Sequence, residues 1–468
     1  MTEQDRGLTE LTAISPLDGR YRSDERFRPS IERLASFASE EALIRTRIEV
    51  ECKYLVALSE TGLTRPLQGK ERKTLIGLGQ KLSYEQIEKV KEIEEITKHD
   101  VKAMERNLRE IFAVTSLADL TEWIHFGLTS EDVNNLAYRL MFNRAKKEIC
   151  IPTIDQIINK LTEQSEKYKT LPMLGRTHGQ AAVPTTYGKE LIVFATRLDK
   201  QTRKLEKTRL TGKLTGAVGN YNAHHLAFPD IDWISFSQKF VRSLGLDPVI
   251  YTTQINPPED LIENFQAFQR INGVLLDFDQ DIWRYISDYW LSQEVVKGEV
   301  GSSTMPQKVN PINFENSEGN LILANGVFET MGRKLSTSRL QRDLSDSTTI
   351  RNIGTALGYS LLSYKSTLIG LGKVYPNPEV MLEALNKDWS ILTEGVQTLL
   401  RKEGVEDPYS LIAGLTRGQK IDSKAWKEWV NNLPIKDEVK EKLQNLTPTS
   451  YLGYAVKLTN MGLDDIKQ

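Results

Sequence analysis

Apolar residues recur every three, four or seven positions along much of the chain, which is the pattern of amphipathic helices. The clearest case is the stretch 257–290, which opens with two prolines and two acidic residues suited to a first helical turn. Its apolar stripe consists of Leu261, Phe265, Phe268, Leu275, Phe278 and Ile282. We therefore predict one long helix over this stretch.

Weaker versions of the same pattern predict further helices. One begins near Thr185 and another near Ser130, and Pro152 is expected to kink or end the second of these. Helical patterns also follow Pro311 and Asp346. Strand signals are few: "PVIYTTQI" is the clearest, and "LTGAVGNYNAH" predicts a turn or a small hairpin.

Apolar stripes of this length need more partners than one chain supplies, so the pattern favours an extended helical bundle that is completed by self-association. The predicted fold class is all-α in three parts, because the two ends have shorter or proline-broken patterns than the middle. The predicted domains are an N-terminal helical domain (1–118), a central long-helix bundle domain with a polar loop (119–371) and a C-terminal helical domain (372–468).

Composition adds limits on the partners of the protein. The 468 residues are 39% hydrophobic and 26% charged, which is typical of a folded globular chain. The formal net charge is −2, from 61 basic and 63 acidic residues, so the overall charge recruits neither nucleic acid nor an acidic membrane. An anionic ligand must therefore be bound by locally placed cations.

The cysteines and the amino terminus indicate the compartment. Only Cys52 and Cys150 are present, which excludes a disulfide framework, and no Cys/His spacing suggests zinc. The polar start "MTEQDRGLTE" lacks the apolar core of a signal peptide, and no run approaches the roughly 20 apolar residues of a membrane helix. We therefore expect a cytoplasmic protein without a metal site.

The stretch 298–320, "GEVGSSTMPQKVNPINFENSEGN", contains little that could build an apolar core. Its glycines permit close approach of the backbone to a ligand, and its serines, lysine and asparagines can bind a carboxylate. The candidate residues are Ser302, Ser303, Lys308 and Asn310. The alternative is an ordinary polar loop between helices.

Two histidines are candidates for chemistry. His178, in "RTHGQ", lies in a break between predicted helices, where its polar neighbours could orient the ring and bind an anion. The alternative for His178 is a structural hydrogen-bond donor. His99 is followed by Asp100 in "TKHD", near a helix end, where it could contact a polar ligand or form a salt bridge at the surface.

Two further stretches could bind anions. In "HFGLTSEDVNN", Thr129 and Ser130 precede two acidic residues, which predicts a helix N-cap whose N-terminus could also bind an anion. In "RLQRDLSDSTTIRN", Arg342, Ser347 and Arg351 could converge on a phosphate. The alternative is a helix cap beside solvated arginines.

Taken together, these stretches resemble one family. "GSSTMPQKVNP" is similar to the signature of the fumarase/aspartase superfamily, whose members eliminate fumarate from a succinyl-bearing substrate. Seven further stretches resemble the adenylosuccinate lyase family in its bacterial purine-biosynthetic form. They are "SPLDGRY", "TKHD", "HFGLTSEDVNN", "RTHGQ", "GAVGNYNAH", "YTTQI" and "SRLQRDLSDSTTIRN". These matches follow the family order from Ser15 to Asn352.

This resemblance implies an all-α, three-part fold that assembles into a homotetramer, with each active site shared between three subunits. It implies β-elimination without a cofactor: adenylosuccinate gives AMP and fumarate, and SAICAR gives AICAR and fumarate. The expected partners are these small molecules and other copies of the chain, with neither nucleic acid nor a membrane.

The resemblance also implies roles for single residues. Ser302 is the general base that takes the carbon-bound proton, and His178 is the general acid that protonates the leaving nitrogen. Thr129, Ser130, Gln254, Lys308 and Asn310 are expected to bind the succinyl group, with Ser303 a further substrate-binding residue. The nucleotide and its phosphate are expected to contact Arg20, Tyr21, Arg342, Ser347 and Arg351. His99 and Asp100 are expected to meet the substrate near its ring or to help position His178.

Two other functions are compatible with parts of the sequence. Argininosuccinate lyase belongs to the same superfamily, but its substrate lacks a phosphate and would leave the arginine and serine cluster near Ser347 with little purpose. A catalytically silent helical protein on the same scaffold is the second. The presence of Ser302, His178, Lys308 and Asn310 together argues against it.

Overall fold

The computed structural model describes residues 8–295, 304–305, 308–416 and 420–467. The described residues form twenty α-helices. The first ten are α1 (Arg28–Ala38), α2 (Glu40–Glu60), α3 (Gly69–Lys81), α4 (Tyr84–Thr97), α5 (Asp100–Ala113), α6 (Ser130–Ala145), α7 (Ile151–Lys167), α8 (Tyr187–Lys207), α9 (Asn222–Ala227) and α10 (Trp233–Ser243). The others are α11 (Glu259–Ser287), α12 (Ile312–Leu335), α13 (Ser345–Ile350), α14 (Ile353–Lys373), α15 (Pro378–Asn386), α16 (Thr393–Lys402), α17 (Pro408–Thr416), α18 (Ser423–Asn431), α19 (Asp437–Gln444) and α20 (Ala455–Lys467).

Strands are short and pair only two at a time in the described chain. They are β1 (Pro172–Thr177), β2 (Gln180–Thr186), β3 (Thr211–Gly212), β4 (Asp247–Pro248), β5 (Leu291–Gln293) and β6 (Val374–Pro376). β1 pairs with β2 and β5 with β6 in antiparallel fashion, whereas β3 and β4 are parallel. The prediction of an all-α fold is confirmed. None of the described helices has both the length and the apolar character that crossing a membrane would require.

The chain divides into two compact units, each built from three separate segments. The first unit comprises Met1–Thr153, Thr202–Asn272 and Gly319–Ser363. The second comprises Ile154–Gln201, Gly273–Glu318 and Tyr364–Gln468. The three-domain division at about residues 118 and 372 stays a prediction.

The long helices begin where the sequence pattern places them. All six apolar residues of the stripe on α11 are buried, and α8, α6 and α12 start within two residues of the predicted positions. The helix predicted from Ser130 ends before Pro152, because a π-helical turn (Lys146–Cys150) separates α6 from α7. Pro152 is the second residue of α7, directly after the π-helical turn.

The predicted strand "PVIYTTQI" was wrong beyond its first residue. Only Pro248 belongs to a strand, and the residues after it form a loop that closes tightly on the turn 216–219. Gly219 has φ +88°, and a Cβ there would collide with the carbonyl oxygen of Thr252. This close backbone approach needs glycine, and it places Gln254 at the surface of the first unit.

The first unit has its main apolar core between α2, α3, α4 and α5. Ile48, Leu55, Leu75, Met104 and Phe112 are buried there. The N-terminus of α6, in contrast, is attached to this unit by polar contacts, and those contacts belong to the candidate site.

The second unit combines aromatic packing with a buried polar group. Phe194 of α8 packs edge to face on Phe278 of α11, with 5.3 Å between ring centroids. Asp279 is buried on α11 and accepts a hydrogen bond from Thr367 Oγ1 at 3.0 Å. Towards the carboxyl end, the buried indole of Trp426 donates to the Leu443 carbonyl at 3.0 Å.

Candidate active site

Arg342 is the centre of a cluster in the first unit that includes three of the predicted site residues. Its Nη2 donates to Ser347 Oγ at 2.8 Å, and its Nη1 donates to Gln254 Oε1 at 3.4 Å. Gln254 is fixed in turn, because its Nε2 donates to the Ala217 carbonyl at 3.0 Å. The Arg342 side chain is only 13% exposed, so it is held just before α13 and is not a solvated surface arginine.

Two carboxylates face the same guanidinium. Glu131 Oε2 lies 3.2 Å from Arg342 Nη2, and Asp346 Oδ2 lies 3.3 Å from Arg342 Nε. Burial raises the pKa of Glu131 to about 7, although Arg342 acts in the opposite direction. Nothing in the sequence indicates this pairing, because Glu131 has the ordinary position of an acidic residue in a first helical turn.

Thr129 and Ser130 begin α6, as predicted. Thr129 caps the helix, and its backbone N–H donates to Asp132 Oδ2 at 3.0 Å. Asp132 also accepts from Thr215 N–H at 3.0 Å and pairs with the fully buried Lys213 at 3.0 Å. This ion pair fixes the N-terminus of α6 to the loop after β3, so the hydroxyls of Thr129 and Ser130 have defined positions.

Arg351 and Asp100 form a second cluster in the first unit. Arg351 Nη2 lies 2.9 Å from Asp100 Oδ2, and the buried Arg47 lies 2.8 Å from the same oxygen. Glu40 Oε2 contacts the other end of Arg351 at 3.1 Å. Asp100 therefore acts as an anchor for two arginines. Arg47 was missed by sequence reasoning because it is 53 positions away from Asp100.

His99 lies beside this cluster as the N-cap of α5. Its Nδ1 accepts a hydrogen bond from Lys102 N–H at 3.3 Å and lies 3.8 Å from Asp100 Oδ1. The side chain is 53% exposed. Because Nδ1 is the acceptor, the neutral ring carries its proton on Nε2, which is the atom available to donate to a ligand.

Arg20 and Tyr21 lie in a short π-helical turn, Leu17–Tyr21. Arg20 is exposed, whereas Tyr21 is half-buried and packs edge to face on Phe27. The hydroxyl of Tyr21 accepts a hydrogen bond from Asn320 Nδ2 at 3.2 Å. Tyr21 is therefore held, and Arg20 is available to a ligand at the surface of the first unit.

His178 lies in the second unit, at the tip of the hairpin formed by β1 and β2. The sequence predicted a break between helices there, and the hairpin was missed. His178 and Gly179 have φ of 54° and 73°, and Thr177 pairs with Gln180, which defines a two-residue turn. His178 is exposed and has no hydrogen-bond partner within the described part of the chain.

Arg176 fixes the hairpin tip from below. It donates to the Gly179 carbonyl at 3.2 Å, lies 3.3 Å from Asp288 Oδ2 and stacks on Trp290 with 5.0 Å to the ring centroid. These contacts hold the strand, while the imidazole has no partner among the residues that the structure describes. The turn can therefore present His178 as a proton donor in a defined direction.

Lys308 and Asn310 lie in the second unit, just before α12. They line a cavity of about 780 Å³ together with aromatic residues that include Trp283 and Tyr289. Gln293 supports this segment from β5, because its Nε2 donates to the Val309 carbonyl at 3.0 Å. Ser302 and Ser303 lie outside the described residues.

The structure thus brings the predicted residues together in groups. In the first unit these are Gln254 with Arg342 and Ser347, then Asp100 with Arg351 and His99, and separately Thr129 with Ser130 and Arg20 with Tyr21. The second unit contains His178, Lys308 and Asn310. Within the described ranges, no group of three or more His, Cys, Asp or Glu side chains is arranged to hold a metal ion.

Comparisons with known proteins place this arrangement in a class. Residues 26–326 match the family model described as Lyase, and residues 338–452 match the model described as adenylosuccinate lyase C-terminal. The fold is similar to the crystal structure of 3-carboxy-cis,cis-muconate lactonizing enzyme from Pseudomonas putida, with a TM-score of 0.75 and 17% identity over 93% of this chain and 97% of that chain. It is also similar to fumarate lyase from Mesorhizobium sp. BNC1, with a TM-score of 0.74 and 18% identity over 92% of this chain and 97% of that chain. The chain has a lyase fold.

Sequence relatives narrow the class. The chain is 45% identical to adenylosuccinate lyase of Haemophilus influenzae, over 96% of this chain and 98% of the relative. It is 41% identical to adenylosuccinate lyase of Escherichia coli K12, over 97% of this chain and 99% of the relative. The chain belongs to the adenylosuccinate lyase family.

Proposed function

We propose that this protein is a lyase that eliminates fumarate from adenylosuccinate to give AMP, and from SAICAR to give AICAR. The observation that carries the proposal is the held guanidinium of Arg342 with Ser347 and Gln254, in a chain 45% identical to an adenylosuccinate lyase over nearly its whole length. An arginine and a hydroxyl together suit a phosphate, which both substrates carry. Because fumarate is the product released, the succinyl group is the part of the substrate that reacts.

The difficult step is removal of a proton next to a carboxylate. The carbanion that forms moves negative charge onto that carboxylate, so donors directed at it lower the barrier. Lys308 and Asn310 provide an ammonium and an amide on one short segment. The capped start of α6, with Thr129 and Ser130, provides hydroxyls and helix N–H groups suited to a second carboxylate.

We assign Ser302 as the general base and His178 as the general acid. A serine hydroxyl becomes a base at neutral pH only when its alkoxide is strongly stabilised, and Lys308 with neighbouring N–H groups can supply that stabilisation once water is excluded. His178 suits the donor role because the hairpin turn holds its backbone while its ring has no partner within the described residues. Protonation of the leaving nitrogen completes the elimination.

The proposal includes a cytoplasmic homotetramer with shared active sites. Support comes from α12, where Gly319 and Gly326 lie beside the exposed Ile322 and Leu323. Apart from the neighbouring backbone of α12 itself, a Cβ at either glycine would meet no atom of the described residues within 4 Å. A glycine within a helix costs about 1 kcal/mol relative to alanine, so two on one open face favour close approach of another helix. Small residues flanked by apolar ones suit a subunit contact.

Fumarate release from adenylosuccinate tests the function, with argininosuccinate as the matched comparison. Release from adenylosuccinate alone is expected, because argininosuccinate offers no phosphate to Arg342. Release only from argininosuccinate would assign the chain to the other lyase, and release from neither would overturn the proposal. Mixing inactive Ser302→Ala and His178→Ala enzymes should restore part of the activity through hybrid tetramers. No restoration despite measured subunit exchange would contradict shared sites.

A further inference from the structure

The cluster around Arg342 contains one more carboxylate than it has free cations. Glu131 and Asp346 both face the guanidinium, at 3.2 and 3.3 Å. The other described cations that act on Glu131 are already paired. Lys213 is bound by Asp132 at 3.0 Å, and Arg139 is bound by Asp260 at 2.8 Å. A phosphate that approaches Arg342 and Ser347 therefore meets a negative surplus.

The two carboxylates are held differently. Asp346 Oδ1 accepts a hydrogen bond from Ser347 N–H at 2.6 Å, so its charge is stabilised by the start of α13. Among the described residues, no group other than Arg342 contacts the carboxylate of Glu131 closely. Its side chain is 13% exposed, which means that little water compensates the charge. Glu131 is the carboxylate that loses its charge more easily.

On the basis of the proposed function, we propose that Glu131 is a positioning residue of the phosphate site: it holds Arg342 while the site is empty and takes up a proton from solvent when a nucleoside monophosphate binds. Arg342 is then freed to pair with the phosphate without leaving an unneutralised carboxylate beside it. No covalent bond between heavy atoms changes in this step.

The electrostatic setting of Glu131 agrees with this role. Burial is the largest influence on its pKa and raises it, and Asp346 on the neighbouring segment raises it further. Arg342, Lys213 beyond β3 and Arg139 on the same helix lower it, and the result is a pKa of about 7. The free enzyme therefore carries Glu131 in both protonation states near neutral pH, and phosphate binding selects the protonated one.

The affinity for AMP should consequently fall as pH rises. For a group with a pKa of about 7 in the free enzyme, the dissociation constant increases about tenfold between pH 6 and pH 8. The phosphate of AMP titrates in the same pH range as Glu131. The measurement therefore needs a reference enzyme that binds the same ligand but lacks the Glu131 carboxylate. Glu131→Gln is that reference, since its amide oxygen still accepts from Arg342.

The test is calorimetric titration of AMP into the wild-type enzyme and into Glu131→Gln, from pH 6 to pH 8 in buffers of different ionisation enthalpy. The wild-type to Glu131→Gln ratio of dissociation constants should rise about tenfold over this range, with about half a proton more taken up by the wild type at pH 7. Glu122→Gln is the matched control, because Glu122 is 84% exposed in a surface ion pair, and it should follow the wild type.

Parallel pH profiles for the wild type and Glu131→Gln, in an enzyme that cleaves adenylosuccinate, would overturn this inference alone. A wild-type enzyme that neither cleaves adenylosuccinate nor binds AMP would overturn the proposed function, and the inference with it. Thermal melting of all variants checks that they are folded. If Glu131→Gln melts early, the wild-type proton uptake on AMP binding, corrected for the protons that the phosphate of AMP releases, still decides: a remaining uptake of about half a proton near pH 7 supports the inference, and no remaining uptake overturns it.

Discussion

Replacing Asp100 by asparagine removes the carboxylate that Arg47 and Arg351 share. Both guanidinium groups contact Asp100 Oδ2, at 2.8 and 2.9 Å. The asparagine amide offers one oxygen and no charge, so Arg47, which is 1% exposed, would keep a buried charge without a counter-ion. Arg351 would keep only Glu40, at 3.1 Å, among its partners in the described chain. We expect both a loss of stability and a poorly placed Arg351.

The size of the stability loss follows from the electrostatics of Asp100. Burial raises the pKa of this carboxyl, but Arg47 and Arg351 outweigh burial, and the pKa falls from 3.8 to about 2. That shift corresponds to about 2.5 kcal/mol. Removing one partner of a fully buried pair costs about 3–5 kcal/mol, and Asp100 is 22% exposed, so the lower part of the range applies. We expect a loss of about 2.5–3 kcal/mol at pH 7.

The pH at which this contribution acts is set by the direction of the shift. A lowered pKa in the folded state stabilises the protein above the unfolded value of about 4, and the contribution disappears as pH falls through about 2. Measurements at pH 7 therefore report the whole effect.

Urea unfolding followed by circular dichroism measures it, with Asp119→Asn as the matched control. Asp119 also binds an arginine through two contacts, to Arg65 at 2.6 and 2.9 Å, but it is 54% exposed. Exposed pairs contribute about 1 kcal/mol or less, so this control should unfold near the wild-type midpoint. An Asp100→Asn midpoint as close to wild type as that of Asp119→Asn would refute the reasoning. The KM for adenylosuccinate should rise in Asp100→Asn only.

Three further predictions concern catalysis, binding and the second unit. His178→Ala and Ser302→Ala should each lower the turnover number for fumarate release by about a hundredfold or more with unchanged melting temperature, since each removes a proton-transfer group. Arg342→Lys should raise the KM about tenfold to a hundredfold with little change in kcat, because a lysine ammonium cannot make the paired hydrogen bonds of the planar guanidinium. Asp279→Asn should melt above the wild type by a margin that grows from pH 5 to pH 9, because burial raises the pKa of Asp279 well above 3.8 and the wild type loses stability as pH rises towards that folded pKa.

Each of these has an outcome that contradicts it. Near-normal turnover in either alanine variant would remove that residue from its role. A large fall in kcat for Arg342→Lys at unchanged KM would place Arg342 in the chemical step. A constant difference in melting temperature across the pH range would mean that Asp279 is not protonated in the folded state.

The sequence was sufficient for the long helices, whereas the assignment of the site residues stays a prediction. The helix α11 was predictable because its six apolar residues recur at helical spacing, and all six are buried on one face. A strand would require apolar residues at every second position. The hairpin of β1 and β2 was not predictable, because its turn has His178 in place of the usual asparagine or aspartate before glycine, and its strands contain Pro172, Gly175 and Pro184, which are unusual in strands. The strand predicted at "PVIYTTQI" failed because a tight approach to Gly219 overrides β-propensity there.

Partners across long sequence distances were beyond sequence reasoning. The pairing of Glu131 with Arg342 joins the first turn of α6 to the loop before α13. Nothing in the spacing of residues in either stretch indicates this pairing. The same holds for Arg47 with Asp100. Helix-cap chemistry explained Glu131 and Asp132 equally well from the sequence, yet only Asp132 takes part in the cap. Charge alone predicts that a buried arginine pairs with a carboxylate, but only the fold determines which carboxylate it is.

The division of each unit into three segments affects how this protein can be made and dissected. Residues of the first unit are still being added until Ser363, and the second unit is finished only at the carboxyl end. During synthesis, neither unit can complete its packing until its last segment has been made. No single cut yields a fragment that contains one whole unit and nothing of the other, so separate expression of halves should give insoluble material.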